Sequence, residues 1–338
     1  MTPVHLLTGF LGAGKTTLLR RLLQDASFAN AAVLLNEFGE VGLDHHLLER
    51  VDDTTVLLPS GCICCTVRGE LSRAIRDLQA RRERGVVPQF DRLVIESTGL
   101  ADPFPILSTL RADPVLCHHF GLGAVVTLVD AVNAVGQIER LEGFRQIAAA
   151  DRLVMTKTDL VPQAATQALA ARLAAMNPVA ELCDVHGDWS FSWLMPEGVA
   201  IHKRPPRLPP ASSGDESHTG TVRAFALSFD QPIDWTVFGL WLTMLLHRHG
   251  QRILRVKGIL HIAGEDRPVA VHGVQHLVHP PLHMQRWPSA DRGSRIVFIV
   301  DGVGENAIRR SLAAFCRLTA DGAAPEFSGA RADDAVRA

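Results

Sequence analysis

No apolar run in this chain approaches the roughly 20 residues that a membrane-spanning helix needs, so no membrane partner is expected. Surplus charge is equally missing. Lys and Arg number 34 against 36 Asp and Glu, a formal charge of −2, which offers nucleic acid no basic field and a lipid surface no polybasic patch. No charged start with an apolar stretch and cleavage site opens the chain; Val4-His5-Leu6-Leu7 reads at once as a strand. There is no internal repeat. Disulfides are not expected either, because three of the six cysteines fall within Cys62-Ile63-Cys64-Cys65, where neighbours reach bridging geometry with difficulty. Free thiols and a cytoplasmic location are the expectation.

What is present suffices for two domains: 338 residues, 47% hydrophobic and 21% charged. Over the first half, short apolar runs at 4–8, 31–36, 55–58, 92–96, 123–130 and 152–156 read as strands. They alternate with helical patterns at 15–24, 68–84 and 163–176. Strand, crossover and strand in repetition predict an α/β fold with a doubly wound, mainly parallel sheet over 1–200. Proline and small polar residues over 201–220 read as a linker. Strands at 222–229, 253–261, 269–274 and 295–299, with helices at 234–248 and 305–317, predict a smaller α+β domain over 221–318. Residues 319–338 read as a flexible tail.

The segment Gly9-Phe10-Leu11-Gly12-Ala13-Gly14-Lys15-Thr16 has the spacing of a phosphate-binding loop and lies between a strand and a helix. Its glycines let backbone N–H groups converge on a phosphate. Lys15 brings a charge to the β- and γ-phosphates, Thr16 a hydroxyl to Mg²⁺, and the helix beginning at Lys15, with Thr17 in its first turn, its positive end. Leu93-Val94-Ile95-Glu96 is a strand ending in an acid placed to hold Mg²⁺, and Gly99 follows as a sensor of the γ-phosphate. Thr156-Lys157-Thr158-Asp159 ends another strand. Asp159 can accept from the ring N–H and amine of guanine, the opposite of what adenine offers, while the Lys157 stem covers the base.

Cys62, Cys64 and Cys65 are soft donors in a Gly-flanked turn. Three thiolates suit Zn²⁺ with one coordination place left over, and Co²⁺ also fits. A redox switch and inert burial are the competing readings. Cys117, Cys183 and Cys316 read as small core residues. Cys117-His118-His119 and the run His272, His276, His279, His283 are candidate second metal sites, with satisfied surface histidines as the simpler reading of that run.

Together these segments resemble the CobW family of P-loop GTPases. Asn36-Glu37-Phe38-Gly39-Glu40-Val41-Gly42-Leu43-Asp44, Glu96-Ser97-Thr98-Gly99-Leu100-Ala101-Asp102-Pro103 and Arg255-Val256-Lys257-Gly258 add to the likeness, which runs across most of the chain. The resemblance implies a GTP-dependent metallochaperone, commonly for zinc and in some members for cobalt. It serves a client protein docked through the second domain and is compatible with a homodimer. It also implies a switch over 36–44, with Glu37 joining Lys15 and Glu96 in catalysis near the metal or Mg²⁺. Two departures stand out. Thr156 replaces the asparagine of many GTPases, and the linker lacks the histidine-rich tract that some members use to store metal.

Overall fold

The computed structural model describes residues 1–35, 55–57, 67–196, 222–288, 290, 292–318 and 325–327, which form two compact units. The first is built on seven strands: β1 (Thr2–Gly9), β2 (Ala31–Leu35), β3 (Thr55–Leu57), β4 (Arg92–Glu96), β5 (Phe120–Asp130), β6 (Arg152–Thr156) and β7 (Glu181–Asp184). Their order is β3-β2-β4-β1-β5-β6-β7, and every pairing is parallel. Parallel strands need crossovers, supplied here by helices α1 (Lys15–Leu23), α2 (Val67–Glu83), α3 (Pro103–Ala112), α4 (Pro114–His119), α5 (Ala134–Ile138), α6 (Leu141–Ala149) and α7 (Gln163–Met176), while α8 (Phe191–Leu194) follows the last strand. Strands buried along their whole length, such as β2, β4 and β6, are the consequence of a sheet covered on both faces.

Sequence periodicity missed β7 and the helices from α3 to α6. β7 is only half-buried and carries Glu181 and Asp184, so it shows no apolar run. α3 and α4 each open with an aspartate cap followed by proline. The Asp102 carboxylate accepts from Phe104 N–H at 3.0 Å, and the Asp113 carboxylate accepts from Val115 N–H at 2.9 Å.

His5 is the one imidazole inside β1. Its ring is fully buried, and Nδ1 accepts from Ala124 N–H at 2.9 Å, where the β1–β5 register shifts. Burial first, then the Arg92 charge, push its pKa down to about 3. The folded protein therefore keeps His5 neutral while the unfolded chain takes up a proton below about pH 6.5. Stability must fall as pH drops through that window, by about 3 kcal/mol between pH 6.5 and 4. Urea unfolding of His5→Gln is expected to show a shallower acid loss than the parent. Parallel pH profiles would remove His5 as the cause.

The second unit is a sheet of β8 (Val222–Phe229), β9 (Ile253–Leu260), β10 (Val269–Val274), β11 (Leu277–Val278), β12 (Leu282–His283) and β13 (Ser294–Asp301). The order is β11-β10-β9-β13-β8, with β12 on β10, all antiparallel. Helices α9 (Trp235–His249) and α10 (Glu305–Cys316) share one core with Leu227, Phe229, Val256, Ile296 and Phe298. Trp241 Nε1 donates to Ser311 Oγ at 2.9 Å and ties the two helices together.

The histidine run differs from expectation. His272 and His279 are buried rather than superficial, because the turn from β10 to β11 folds back and His279 N–H donates to His272 O at 2.9 Å. His276 Nδ1 lies 2.9 Å from Leu246 O, and His283 Nδ1 lies 3.1 Å from Glu265 Oε2. His272 and His279 pack ring against ring, edge-to-face with centroids 6.4 Å apart, while His276 and His283 face other neighbours.

Candidate nucleotide and metal site

Parallel register places the C-terminal ends of β1, β4, β5 and β6 along one edge, with Leu7 opposite Glu96, Gly9 opposite Leu128 and Asp130 opposite Thr156. That edge is where a doubly wound sheet binds its ligands. β1 runs directly into the glycine loop. Gly14 adopts φ 92°, a left-handed conformation that a side chain resists, and so starts α1 with no side-chain cap. The first N–H groups of α1 are left for an anion. Gly9, Gly12 and Ala13 form the curl before it, and Thr17 lies exposed in the first turn.

Lys15 is 8% exposed and spans the loop from inside, its Nζ donating to Gly9 O at 2.9 Å and Phe10 O at 3.1 Å. Burial lowers its pKa, and the Glu96 charge works against that shift. Thr16 Oγ1 donates to Glu96 Oε1 at 2.8 Å. A hydroxyl from the first turn of α1 and a carboxylate from the end of β4 form a hard oxygen donor set, which fits a small divalent cation that keeps most of its waters.

Gly99 lies against the loop from the β4 side: a Cβ there would stand 2.5 Å from Leu11 N, so only glycine fits. At the other end, Thr156 Oγ1 donates to Ala13 O at 2.9 Å. The threonine therefore ties the segment expected to read the base to the glycine loop, although it lacks an amide. Lys157 sits at φ 57°, and its Nζ pairs with Asp130 Oδ2 at 2.7 Å. Burial works to raise the Asp130 pKa, but hydrogen bonds from Lys157, Asn133 and Val132 N–H outweigh it and keep the carboxylate ionised. Asp159 is exposed, with His186 Nε2 at 3.2 Å from its Oδ1. Thr158 Oγ1 donates to Asp184 Oδ1 at 2.9 Å, which holds the segment after β7 beside this pair.

With this geometry in view, similarity to known proteins is decisive. A domain model described as CobW/HypB/UreG, nucleotide-binding domain, matches residues 3–184, and one described as cobalamin synthesis protein cobW C-terminal domain matches 222–316. The chain belongs to the CobW family. Among similar proteins, the zinc chaperone YjiA of Escherichia coli K12 is 37% identical over 313 residues, covering 92% of this chain and 97% of that protein. The zinc chaperone CobW of a Sinorhizobium species is 26% identical over 352 residues, with 92% and 96% covered. The crystal structure of Zn(II)-bound YjiA GTPase from E. coli superposes with a TM-score of 0.71 at 33% identity, covering 93% of this chain and 99% of that one.

Glu37, Cys62, Cys64 and Cys65, on which the CobW reading of metal handling rests, lie outside the described residues. Among the described residues no group of three or more His, Cys, Asp or Glu side chains could hold a metal ion. The remaining cysteines are poor donors. Burial, helped by Asp184 and Glu181, pushes Cys183 up to about 12, and burial raises Cys316. The Cys117 thiol donates to Arg111 O at 3.0 Å. His118 and His119 stand edge-on with ring centroids 4.8 Å apart, and the group they make with Cys117 is not a metal cluster.

Sequence reading overlooked Gln146 of α6. It is 1% exposed, and its Nε2 donates to Gly99 O at 3.1 Å and Ala101 O at 3.0 Å. Next to it, Arg145 Nη1 pairs with Asp102 Oδ2 at 2.6 Å. α6 thus clamps the glycine that touches the phosphate loop. Because Gly99 is the expected γ-phosphate contact, Gln146→Met should weaken GTPγS binding about tenfold while GDP binding changes little. Nucleotide titrations check this, and an equal loss for both nucleotides would make the clamp merely structural.

Proposed function

We propose that this chain is a GTPase that carries zinc to a client protein. The observation that supports this best is the phosphate loop itself: Lys15 is folded across Gly9 and Phe10, and Thr16 is hydrogen-bonded to Glu96 at the same strand edge. Homology to zinc chaperones along almost the whole chain supports the cargo. The triphosphate lies against the α1 N-terminus, with Lys15 reaching its β- and γ-oxygens and Gly99 its γ-phosphate. Thr16 and Glu96 hold Mg²⁺, which neutralises charge gathering on the phosphates. Asp159 and Lys157 read guanine. Cys62, Cys64 and Cys65 hold the zinc, and Glu37 carries the state of the nucleotide to it. The second unit docks the client, and release follows hydrolysis.

Nucleotide selection tests the reading. Asp159 supplies charged acceptors worth about 1.5–3 kcal/mol in total, so Asp159→Ala should weaken GTP binding about 10- to 100-fold and leave ATP unaffected. Asp159→Asn should favour XTP, since the xanthine carbonyl accepts from an amide where the guanine amine needed a carboxylate. Equal affinities of the parent chain for GTP and ATP would sink the guanine assignment.

A further inference from the structure

Among the described residues, sheet order leaves β8 at an edge of the second unit, paired with β13 on one side. An edge strand presents unused backbone groups and is a template for another strand. Here its last residue is already engaged. Phe229 forms an antiparallel bridge with Phe327, and their rings meet edge-to-face at 5.8 Å. Glu326 N–H donates to Gln231 Oε1 at 3.1 Å. Arg309 of α10 lies 5.1 Å from the centroid of the Phe327 ring. The tripeptide Pro325-Glu326-Phe327 lies beyond residue 316, where the match to the family's C-terminal domain ends, so this chain covers the edge with a segment outside that domain.

The fit is incomplete. Arg309 gives Nε and Nη2 to Glu305, at 2.7 Å and 2.6 Å, but its Nη1 is buried and finds no acceptor among the described residues. A buried guanidinium N–H without an acceptor is costly, and a carboxylate is its best partner. Along an extended peptide, residues two apart share a face. An occupant with an acid two residues from its aromatic side chain would place both over Phe229 and Arg309, as the tail does not: Pro325 and Gly329 stand two residues either side of Phe327.

We propose that the β8 edge, with Phe229 and Arg309, is a docking groove for an extended peptide segment of a partner protein. That segment carries an aromatic residue and a carboxylate two positions away, and the chain's own tail fills the groove as an intramolecular competitor. Main-chain pairing supplies affinity and the aromatic and acid supply specificity. A tethered tail acts at an effective concentration on the order of 1 mM, so a tail segment whose own dissociation constant is about 0.1 mM suppresses a competing peptide about tenfold.

The test is a fluorescence anisotropy titration with a labelled peptide of residues 322–330 carrying Gly329→Glu. Full-length Phe327→Ala should bind it about tenfold more tightly than the parent chain. Full-length Glu326→Pro, which keeps Phe327 but removes the N–H bound to Gln231, should do so in part and covers a folding defect in the first variant. Adding Arg309→Met should erase the advantage of the acidic peptide over the unmodified one. Equal binding by parent and unplugged chains, or equal binding of a peptide lacking the phenylalanine, would overturn the groove. The proposal gives the client-docking reading a specific surface. Because the titration reads peptide binding alone, its failure with GTP turnover intact would leave that reading standing.

Discussion

Replacing Lys15 by alanine is expected to lower GTP turnover by a factor on the order of 10³ or more, the scale seen when a preorganised charge or donor is removed from a transition state. Two features of the structure make the loss large. The ammonium is nearly out of water, so its interaction with phosphate is weakly screened. It also holds the loop in shape, bridging Gly9 O and Phe10 O. Alanine removes the charge and the brace together. Single-turnover hydrolysis, with GDP binding measured in parallel, separates chemistry from binding. Turnover within tenfold of the parent would mean that Lys15 is not the phosphate cation.

Zinc binding should respond as strongly to the cysteine triplet. A chain with Cys62, Cys64 and Cys65 all changed to serine is expected to lose at least about 10³-fold in zinc affinity, because soft thiolates supply most of the binding energy at such sites. Among the described residues no replacement site is ready to hide the loss. Cys183 is pushed up to about 12 and so stays protonated at neutral pH, and the described histidines do not gather into a cluster of three with other ligands. With Co²⁺ as a probe, the parent should show thiolate charge-transfer absorption and the variant none. In the parent, zinc should bind more tightly with Mg·GTP than with GDP, since binding of either ligand favours the other when both order the same segment. A triple variant that retained a tight stoichiometric site would refute the assignment.

How much of this was legible in the sequence depended on whether a signal was local. Lys15, Thr16 and Gly14 belong to one loop whose spacing is local in the chain, and the structure sets that loop between β1 and α1. Strand β4 ending at Glu96 was equally readable, because three apolar residues, Leu93, Val94 and Ile95, lead to one acid. The partners of these groups were not readable. Nothing near Gln146 announces that its amide will meet the carbonyls of Gly99 and Ala101, which lie 47 and 45 residues away in the chain. Asp130 closes a strand as any acid might, and its pairing with Lys157 exists only because β5 and β6 are neighbours in register. Thr156 read only as a replacement for the asparagine of many GTPases; in the folded chain its hydroxyl donates to Ala13 O. The caps of α3 and α4 are the reverse case. Asp102-Pro103 and Asp113-Pro114 were local start signals in plain view, passed over because the segments after them are short or apolar throughout.

The phosphate loop is gripped from both flanks, by the Thr156 hydroxyl at Ala13 and by the close packing of Gly99 on Leu11. In mechanical terms it is a fixed jaw. A loop held on two sides cannot also be the part that swings when the γ-phosphate leaves. Displacement produced by hydrolysis must be carried by segments free of those ties, while the loop serves as the stationary frame against which they move.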